Sequence, residues 1–172
     1  MSLEIGGAVI PNRAGFDVDQ QYEMLGTETI LRACSGRGIK QMTYEKMRIT
    51  TSCSGWMPSG LETLDYTAQH VVKCVVPRGI TANPSTRQAT IPAARRSDSG
   101  YLPFGLAISA TGEAVKTAVT MATNLATCDA VSGATSYHVS WYPSVTCWLM
   151  RPQTSGNLAD ASYRWELTAE EV

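Results

Sequence analysis

Apolar and polar residues alternate along several stretches of the chain. Successive side chains of a β-strand point to opposite faces of its sheet, so an apolar residue at every second position is typical of a half-buried strand. This alternation predicts strands in five stretches: 41–53, 104–110, 115–121, 136–141 and 163–167. Two further stretches, 70–76 and 145–150, are apolar at nearly every position and predict more central strands.

Turn-forming residues separate these stretches, and helices have little support. Residues 111–112 (Thr-Gly) predict a hairpin turn between two strands, and residues 142–144 separate another pair. Residues 61–69 suit a short helical turn, and residues 26–34 suit either a helix or a strand. Residues 114–125 are interpreted as a strand because many of them are β-branched. The sequence therefore predicts an all-β fold, an antiparallel β-sandwich or open barrel of about seven or eight strands.

One long segment, residues 77–103, interrupts this pattern. It contains four prolines, four arginines and one acidic residue, Asp98. A loop of this length without regular structure is unusual in a compact domain and is generally functional or disordered. We therefore interpret the chain as a single β-rich domain, 1–172, with a long extended loop or arm at 77–103. This segment is either a surface loop or an arm that orders against a neighbouring subunit, and its candidate subunit-contact residues are Arg78, Arg87, Arg95 and Arg96.

Composition and charge exclude several classes of protein. Apolar residues make up 44% of the chain and charged residues 17%, which argues against a disordered protein. The net charge of −1 argues against a polycation that binds nucleic acid in bulk. It conceals a segregation along the chain, with net charges of −4 over residues 1–31, +7 over 32–96 and −4 over 97–172. If this segregation survives folding, one face attracts the opposite face of an identical copy. We expect neither a membrane span nor a signal peptide.

Catalytic and metal-binding motifs are not evident in the sequence. The two histidines, His70 and His138, are interpreted as structural or surface residues. The glycine-rich stretch 35–38 lacks the lysine and the helix of a phosphate-binding loop and is interpreted as a turn. The five cysteines are odd in number and form no C-x-x-C pair, which favours reduced thiols, mostly buried, over a zinc or redox site. We therefore expect no enzyme activity, no cofactor and no metal.

The four tryptophans suggest an alternative function. Trp141 and Trp165 share the apolar phase of their strands and are interpreted as core residues, whereas Trp56 lies at a strand end and is expected to be partly exposed. An exposed Trp56 or Trp148 with polar loop groups beside it would stack on a sugar ring. The alternative is thus a monomeric β-sandwich module that binds carbohydrate or a host cell surface.

Two parts of the chain carry a resemblance to a known family. They are the run 46–58, which leads into 60–66, and the closing run 163–171. In these runs the chain resembles small structural proteins of tailed-bacteriophage tails, of the tail-tube or distal-tail kind. The resemblance implies a β-sandwich or β-barrel that assembles into a ring, commonly a hexamer. It implies no catalytic residues.

The same resemblance implies partners and a location. In that family the ring surrounds a lumen through which DNA passes without specific binding, and long arms contact the next subunit and neighbouring tail proteins. The chain would then be made in the host cytoplasm and reside in the tail of the virion. We therefore predict a structural virion protein that forms an oligomeric ring in a phage tail, with no catalysis.

Overall fold

The computed structural model describes residues 2–26 and 28–172, and these residues form seventeen β-strands. The first strands, in chain order, are β1 (Glu4–Ile5), β2 (Ala8–Val9), β3 (Asp19–Leu25), β4 (Glu28–Arg32), β5 (Gly38–Met42), β6 (Lys46–Gly55) and β7 (Gln69–Lys73). The remaining strands are β8 (Arg78–Ala82), β9 (Gln88–Thr90), β10 (Phe104–Ser109), β11 (Ala114–Thr117), β12 (Val119–Ala122), β13 (Leu125–Cys128), β14 (Ala134–Trp141), β15 (Ser144–Leu149), β16 (Gln153–Asn157) and β17 (Ser162–Glu171).

The prediction of an all-β fold is confirmed. The strands form several antiparallel sheets of the kind found in β-sandwiches. Within the described residues, regular helix is limited to two short 3₁₀ helices, Asn12–Ala14 and Leu61–Thr63, and the second lies where a helical turn is predicted. The strand number exceeds the predicted seven or eight because many strands are only two to five residues long, too short for alternation to reveal them.

The chain forms two compact units, whereas the sequence analysis predicts one domain. One unit comprises Met1–Val72 and Thr146–Val172, and the other comprises Lys73–Val145. The second unit is therefore an insertion in the sequence of the first. No helix among residues 2–26 and 28–172 is long and apolar enough to cross a membrane.

The first unit is built around β6, which has two different faces. Its odd-numbered residues from Met47 to Gly55 are buried, and its even-numbered residues from Lys46 to Ser54 are only partly buried. We call these the core face and the polar face of the sheet. The strands of this sheet follow the order β2-β1-β7-β15-β17-β6-β3, and β16 pairs with β17. The strong alternation at 46–55 arises because only one face of β6 packs against apolar residues.

A buried tryptophan ties the loop before β3 to this sheet. Trp165 on β17 lies opposite Cys53 on β6, and both are buried on the core face. The indole Nε1 of Trp165 donates a hydrogen bond of 3.0 Å to the carbonyl of Ala14, in the first 3₁₀ helix. A buried tryptophan needs such a partner for its N–H group. The prediction that Trp165 is a core residue is therefore confirmed.

The second unit contains two sheets, ordered β11-β10-β14-β8 and β12-β13-β9. The predicted hairpin at 111–112 is confirmed, since β10 pairs with β11 and Gly112 adopts a positive φ of 86°. The predicted strand at 115–121 is divided into β11 and β12, on different sheets. The core of this unit consists of Ala82, Ala89, Ile91, Ala107, Ala126, Cys128, Tyr137, Val139 and Trp141.

Residues 77–103 do not form the structureless loop or free arm that the sequence analysis predicts. They contain β8, which pairs with β14, and β9, which pairs with β13. Ala82, Ala89 and Ile91 contribute to the core of the second unit. The prolines lie outside both strands, where a missing N–H group breaks no ladder hydrogen bond. The segment was misjudged because its strands are too short to show alternation and its composition is typical of loops.

The segment 26–34, which suits a helix or a strand by sequence, contains the strand β4. Residue 27 of this segment lies outside the described residues. Residues 114–125 form strands and not a helix, as predicted from their β-branched side chains. The central strands predicted at 70–76 and 145–150 correspond to β7 and β15.

Gly55, at the end of β6, leads to a prediction about stability. A Cβ atom at this position would lie 2.3 Å from the carbonyl oxygen of Arg13 and 2.7 Å from the backbone of Ala14. Gly55→Ala is therefore expected to lower the free energy of unfolding by about 1–3 kcal/mol, because backbone atoms must move to admit the methyl group. Urea denaturation measures this change.

The matched control is Gly79→Ala in β8, where the nearest atom to a new Cβ, Oγ of Ser140, would be 3.5 Å away. We expect the control to change the free energy of unfolding by less than about 0.5 kcal/mol, or to raise it slightly. Equal losses in the two variants would contradict the close approach of the 3₁₀ helix to Gly55.

Candidate functional site

Arg96, one of the four predicted subunit-contact residues, lies inside the second unit. Its side chain is 2% exposed and forms an ion pair with Asp98. Its Nη1 atom donates a hydrogen bond of 3.0 Å to the carbonyl of Cys74, and its guanidinium stacks on the ring of Tyr101. These contacts satisfy a buried charge, which would otherwise be strongly destabilising. This burial leaves almost none of Arg96 exposed for the subunit contact that is predicted from the sequence.

Two more of these arginines also bind groups of the second unit. Arg95 donates to the carbonyl of Thr123 at 2.7 Å and to the side chain of Asn124 at 2.9 Å. Arg87 donates through Nε to the carbonyl of Cys128 at 3.2 Å. Both side chains are partly exposed, as is that of Arg78 on β8. Contact of Arg78, Arg87 and Arg95 with a neighbouring subunit stays a prediction.

A different element, the hairpin formed by β4 and β5, stands out by its exposure. Every residue of these two strands is exposed, and β4 and β5 form a two-stranded sheet of their own. The strands pair in antiparallel register, with Leu31 opposite Ile39. The connecting residues form a turn closed by the hydrogen bond from Ala33 N to the Arg37 carbonyl, which confirms the turn predicted at 35–38. We call residues 28–42 the hairpin.

The hairpin exposes large apolar side chains. Their exposed fractions are Ile30 64%, Leu31 48%, Ile39 54% and Met42 54%. An isolated two-stranded hairpin is marginally stable in water, and contiguous exposed apolar groups mark interaction sites. By sequence, residues 26–34 suit either a helix or a strand and residues 35–38 form a turn, so the parts of the hairpin are indicated but their pairing is not.

A second feature is a cleft of about 630 Å³ over the polar face of the first unit. One row of directly opposed residues crosses four strands there: Gln153, Glu166, Ser52 and Asp19. The next row consists of Ser155, Arg164 and Ser54. Asp17 and Thr154 also line the cleft. The volume lies in the range of about 300–1,000 Å³ that is typical of small-molecule sites.

An exposed aromatic pair adjoins this cleft. Phe16 precedes the cleft residue Asp17, and Trp56 follows β6 two residues after the cleft residue Ser54. Their rings meet edge to face with centroids 4.7 Å apart, and Trp56 is 66% exposed. The prediction that Trp56 is partly exposed is confirmed. Trp148 on β15 is also exposed, whereas Trp141 is buried as predicted.

The polar face also brings together charges that are far apart in sequence. Arg48 on β6 lies between Glu23 on β3 and Glu170 on β17 and pairs with both, at 3.1 Å and 2.7 Å. The hydrogen bond with Glu170 raises the pKa of Arg48. The sheet thus mixes the acidic and basic segments of the chain here.

Four of the five thiols are buried, and the two histidines lie on strands β7 and β14. Cys34 is exposed in the turn of the hairpin, and the other four cysteines are buried. Burial raises the pKa of Cys53 to about 12, which suppresses its thiolate. His70 bonds the carbonyl of Asp65, and His138 is partly buried on β14. Among the described residues, no three potential metal ligands are grouped together.

The exposure of the thiols predicts their reactivity. We expect one thiol, that of Cys34, to react rapidly with Ellman's reagent in the native protein, because the other four are shielded from solvent. All five should react after unfolding in guanidinium chloride. Cys34→Ser should abolish the rapid reaction, and a rapid reaction that persists in this variant would contradict the burial described above.

The contact between Arg96 and Asp98 predicts a pH dependence. The hydrogen bond from Arg96 lowers the pKa of Asp98 below its ordinary value of 3.8. This carboxylate therefore stabilises the fold above pH 3.8, and the stabilisation disappears as the pH falls through the lower folded-state pKa. We expect Asp98→Asn to make the free energy of unfolding fall less steeply with acidification below about pH 4. Urea denaturation from pH 2 to pH 6 measures the slope, and an unchanged slope would contradict the ion pair.

Comparisons with known proteins identify no relative of this chain. No protein-family model, no curated protein and no solved structure matches the chain. The function is therefore inferred from the exposure, contacts and charges of the described residues.

Proposed function

We propose that the protein is a structural component of a phage tail that assembles with further copies of itself into a ring, without catalysis. The exposed hairpin is the observation that carries this proposal. It takes the role of the arm that the sequence analysis assigned to residues 77–103. The resemblance of the runs 46–58 and 163–171 to tail-tube and distal-tail proteins supports the choice of assembly.

Hydrophobic burial supplies the driving force in this proposal. Full burial of a large aliphatic side chain contributes about 1.5–3 kcal/mol relative to its exposed state. The hairpin offers two such side chains on one face, Leu31 and Ile39, and two on the opposite face, Ile30 and Met42. Docking of the Leu31–Ile39 face on a neighbouring subunit would bury these two side chains and would also stabilise a hairpin that is marginal alone. A ring is favoured because a head-to-tail contact that closes leaves no open end.

Charge favours an identical chain as the neighbour. The hairpin carries Arg32, Arg37 and Lys40 against a single acid, Glu28. The rest of the chain carries an excess of acids, because the net charge of the whole chain is −1. Outside its hairpin, a second copy therefore carries a net charge of the opposite sign, which would speed the encounter of two copies.

The resemblance extends the proposal to partners and location. We take the hexamer as the copy number that the resemblance implies, with neighbouring tail proteins above and below the ring. DNA would pass through the lumen without base-specific contacts. The protein would be made in the host cytoplasm and reside in the virion tail, and it would need no cofactor.

The proposal predicts a loss of assembly when the hairpin becomes polar. Leu31→Ser/Ile39→Ser changes two opposed side chains on one face of the hairpin, and Thr29→Ser/Gln41→Ser is the matched control on the same face. We expect the wild type and the control to form oligomers and the first double variant to stay monomeric. Light scattering gives the mass, and negative-stain images show whether rings form.

Far-UV circular dichroism spectra accompany this measurement and should coincide for the three proteins, because the changed side chains are exposed and the fold of each chain does not depend on them. Wild-type protein that stays monomeric up to millimolar concentration would overturn the hairpin as the contact and would favour the monomeric binding module. A Leu31→Ser/Ile39→Ser variant that assembles like the wild type would overturn it as well.

A further inference from the structure

We propose that the cleft on the polar face of the first unit binds a neutral saccharide chain, with Trp56 as the stacking surface for a sugar ring. The cleft is lined by residues of β3, β6, β16 and β17, together with Asp17. None of these residues belongs to the hairpin, so the proposal stands independently of ring assembly.

The first support is the unused hydrogen-bonding capacity of the cleft. Within the part of the chain that the structure describes, no hydrogen bond or ion pair engages the side chains of Asp19, Gln153, Arg164 or Glu166. They present carboxylate acceptors, amide groups and guanidinium donors to the same space. A polyol carries hydroxyl groups that both donate and accept, so such a mixed row matches it closely.

The Arg48 row of the same sheet shows that this openness is not general. Arg48 lies on the same face of β6 and is neutralised by Glu23 and Glu170. In the cleft, Arg164 has a serine on each neighbouring strand, Ser54 and Ser155, instead of a carboxylate. The charge of Arg48 is therefore paired within the sheet, whereas Arg164 has no carboxylate directly opposite it on either neighbouring strand.

The second support is the aromatic pair beside the cleft. The backbone N–H of Phe16 donates to the Ser54 carbonyl at 2.9 Å, and that of Trp56 donates to the Arg13 carbonyl at 2.7 Å. These hydrogen bonds hold the backbone of both residues in place, while the exposed fractions of Phe16 and Trp56 are 54% and 66%. The face of an indole ring suits the apolar C–H face of a sugar. The aromatic pair therefore borders the polar cleft beside Asp17 and Ser54, without being part of its lining.

The charge of the cleft selects neutral saccharides. Three carboxylates, Asp17, Asp19 and Glu166, face a single guanidinium, Arg164. This excess of negative charge repels uronates, phosphates and nucleic acids. These carboxylates are not grouped with other potential ligands as a metal site within the described residues, so we assign them as hydrogen-bond acceptors.

The test is a titration of tryptophan fluorescence with four neutral hexasaccharides: cellohexaose, maltohexaose, chitohexaose and mannohexaose. We expect at least one of them to quench the fluorescence of the wild type saturably. Trp56→Ala should weaken binding about tenfold or more, measured by calorimetry because the reporter is lost. Trp148→Ala is the matched control, an exposed tryptophan outside the cleft, and should bind like the wild type.

Charge and assembly variants complete the experiment. A hyaluronan hexasaccharide, which carries carboxylates, should bind about tenfold more weakly than the best neutral chain, and Asp19→Asn/Glu166→Gln should reduce this discrimination. Leu31→Ser/Ile39→Ser should bind the neutral chain like the wild type. The proposal is overturned if no neutral chain binds at millimolar concentration, if Trp56→Ala binds unchanged, or if hyaluronan binds equally well.

Discussion

The pairing of β6 with β17 is the interaction on which the first unit depends. The two strands match over eight residue pairs, from Arg48 opposite Glu170 to Gly55 opposite Tyr163. β6 carries β3 along its other edge, and β17 also pairs with β15 and β16. Because side chains alternate with a period of two, a slip of one residue would expose Ile49 and Trp165 and bury the polar face. The apolar positions therefore hold the register of the entire sheet.

This register also creates the cleft and positions the hairpin. Gln153, Glu166, Ser52 and Asp19 form a row only because four strands pair in this alignment. The hairpin extends beyond the last pair of β3 and β6, Leu25 opposite Lys46, where the shared sheet ends. Its apolar side chains consequently find no core in their own unit. The register of this sheet thus positions both surfaces to which we assign function, the cleft and the hairpin.

Particular residues show how far sequence reasoning reaches. The burial of Trp141 and Trp165 is predicted correctly because strand alternation is a local property that needs no knowledge of the partner strand. The burial of Arg96 could not be predicted, because local composition does not show the carbonyl of Cys74 or the ring of Tyr101 that contact it. Residues 26–34 stay open between a helix and a strand by sequence because Ile30 and Leu31 are adjacent and give no alternating pattern.

The sequence by itself determined the all-β class, the faces of the longer strands and the exposure of Trp56, because each follows from alternation or from turn residues nearby. Only the tertiary structure decided which strands pair, that residues 77–103 belong to a core, and that Asp19, Ser52 and Glu166 meet on one face. These outcomes depend on contacts between residues distant in sequence. Their energies come from burial and pairing across the sheet, which no local pattern contains.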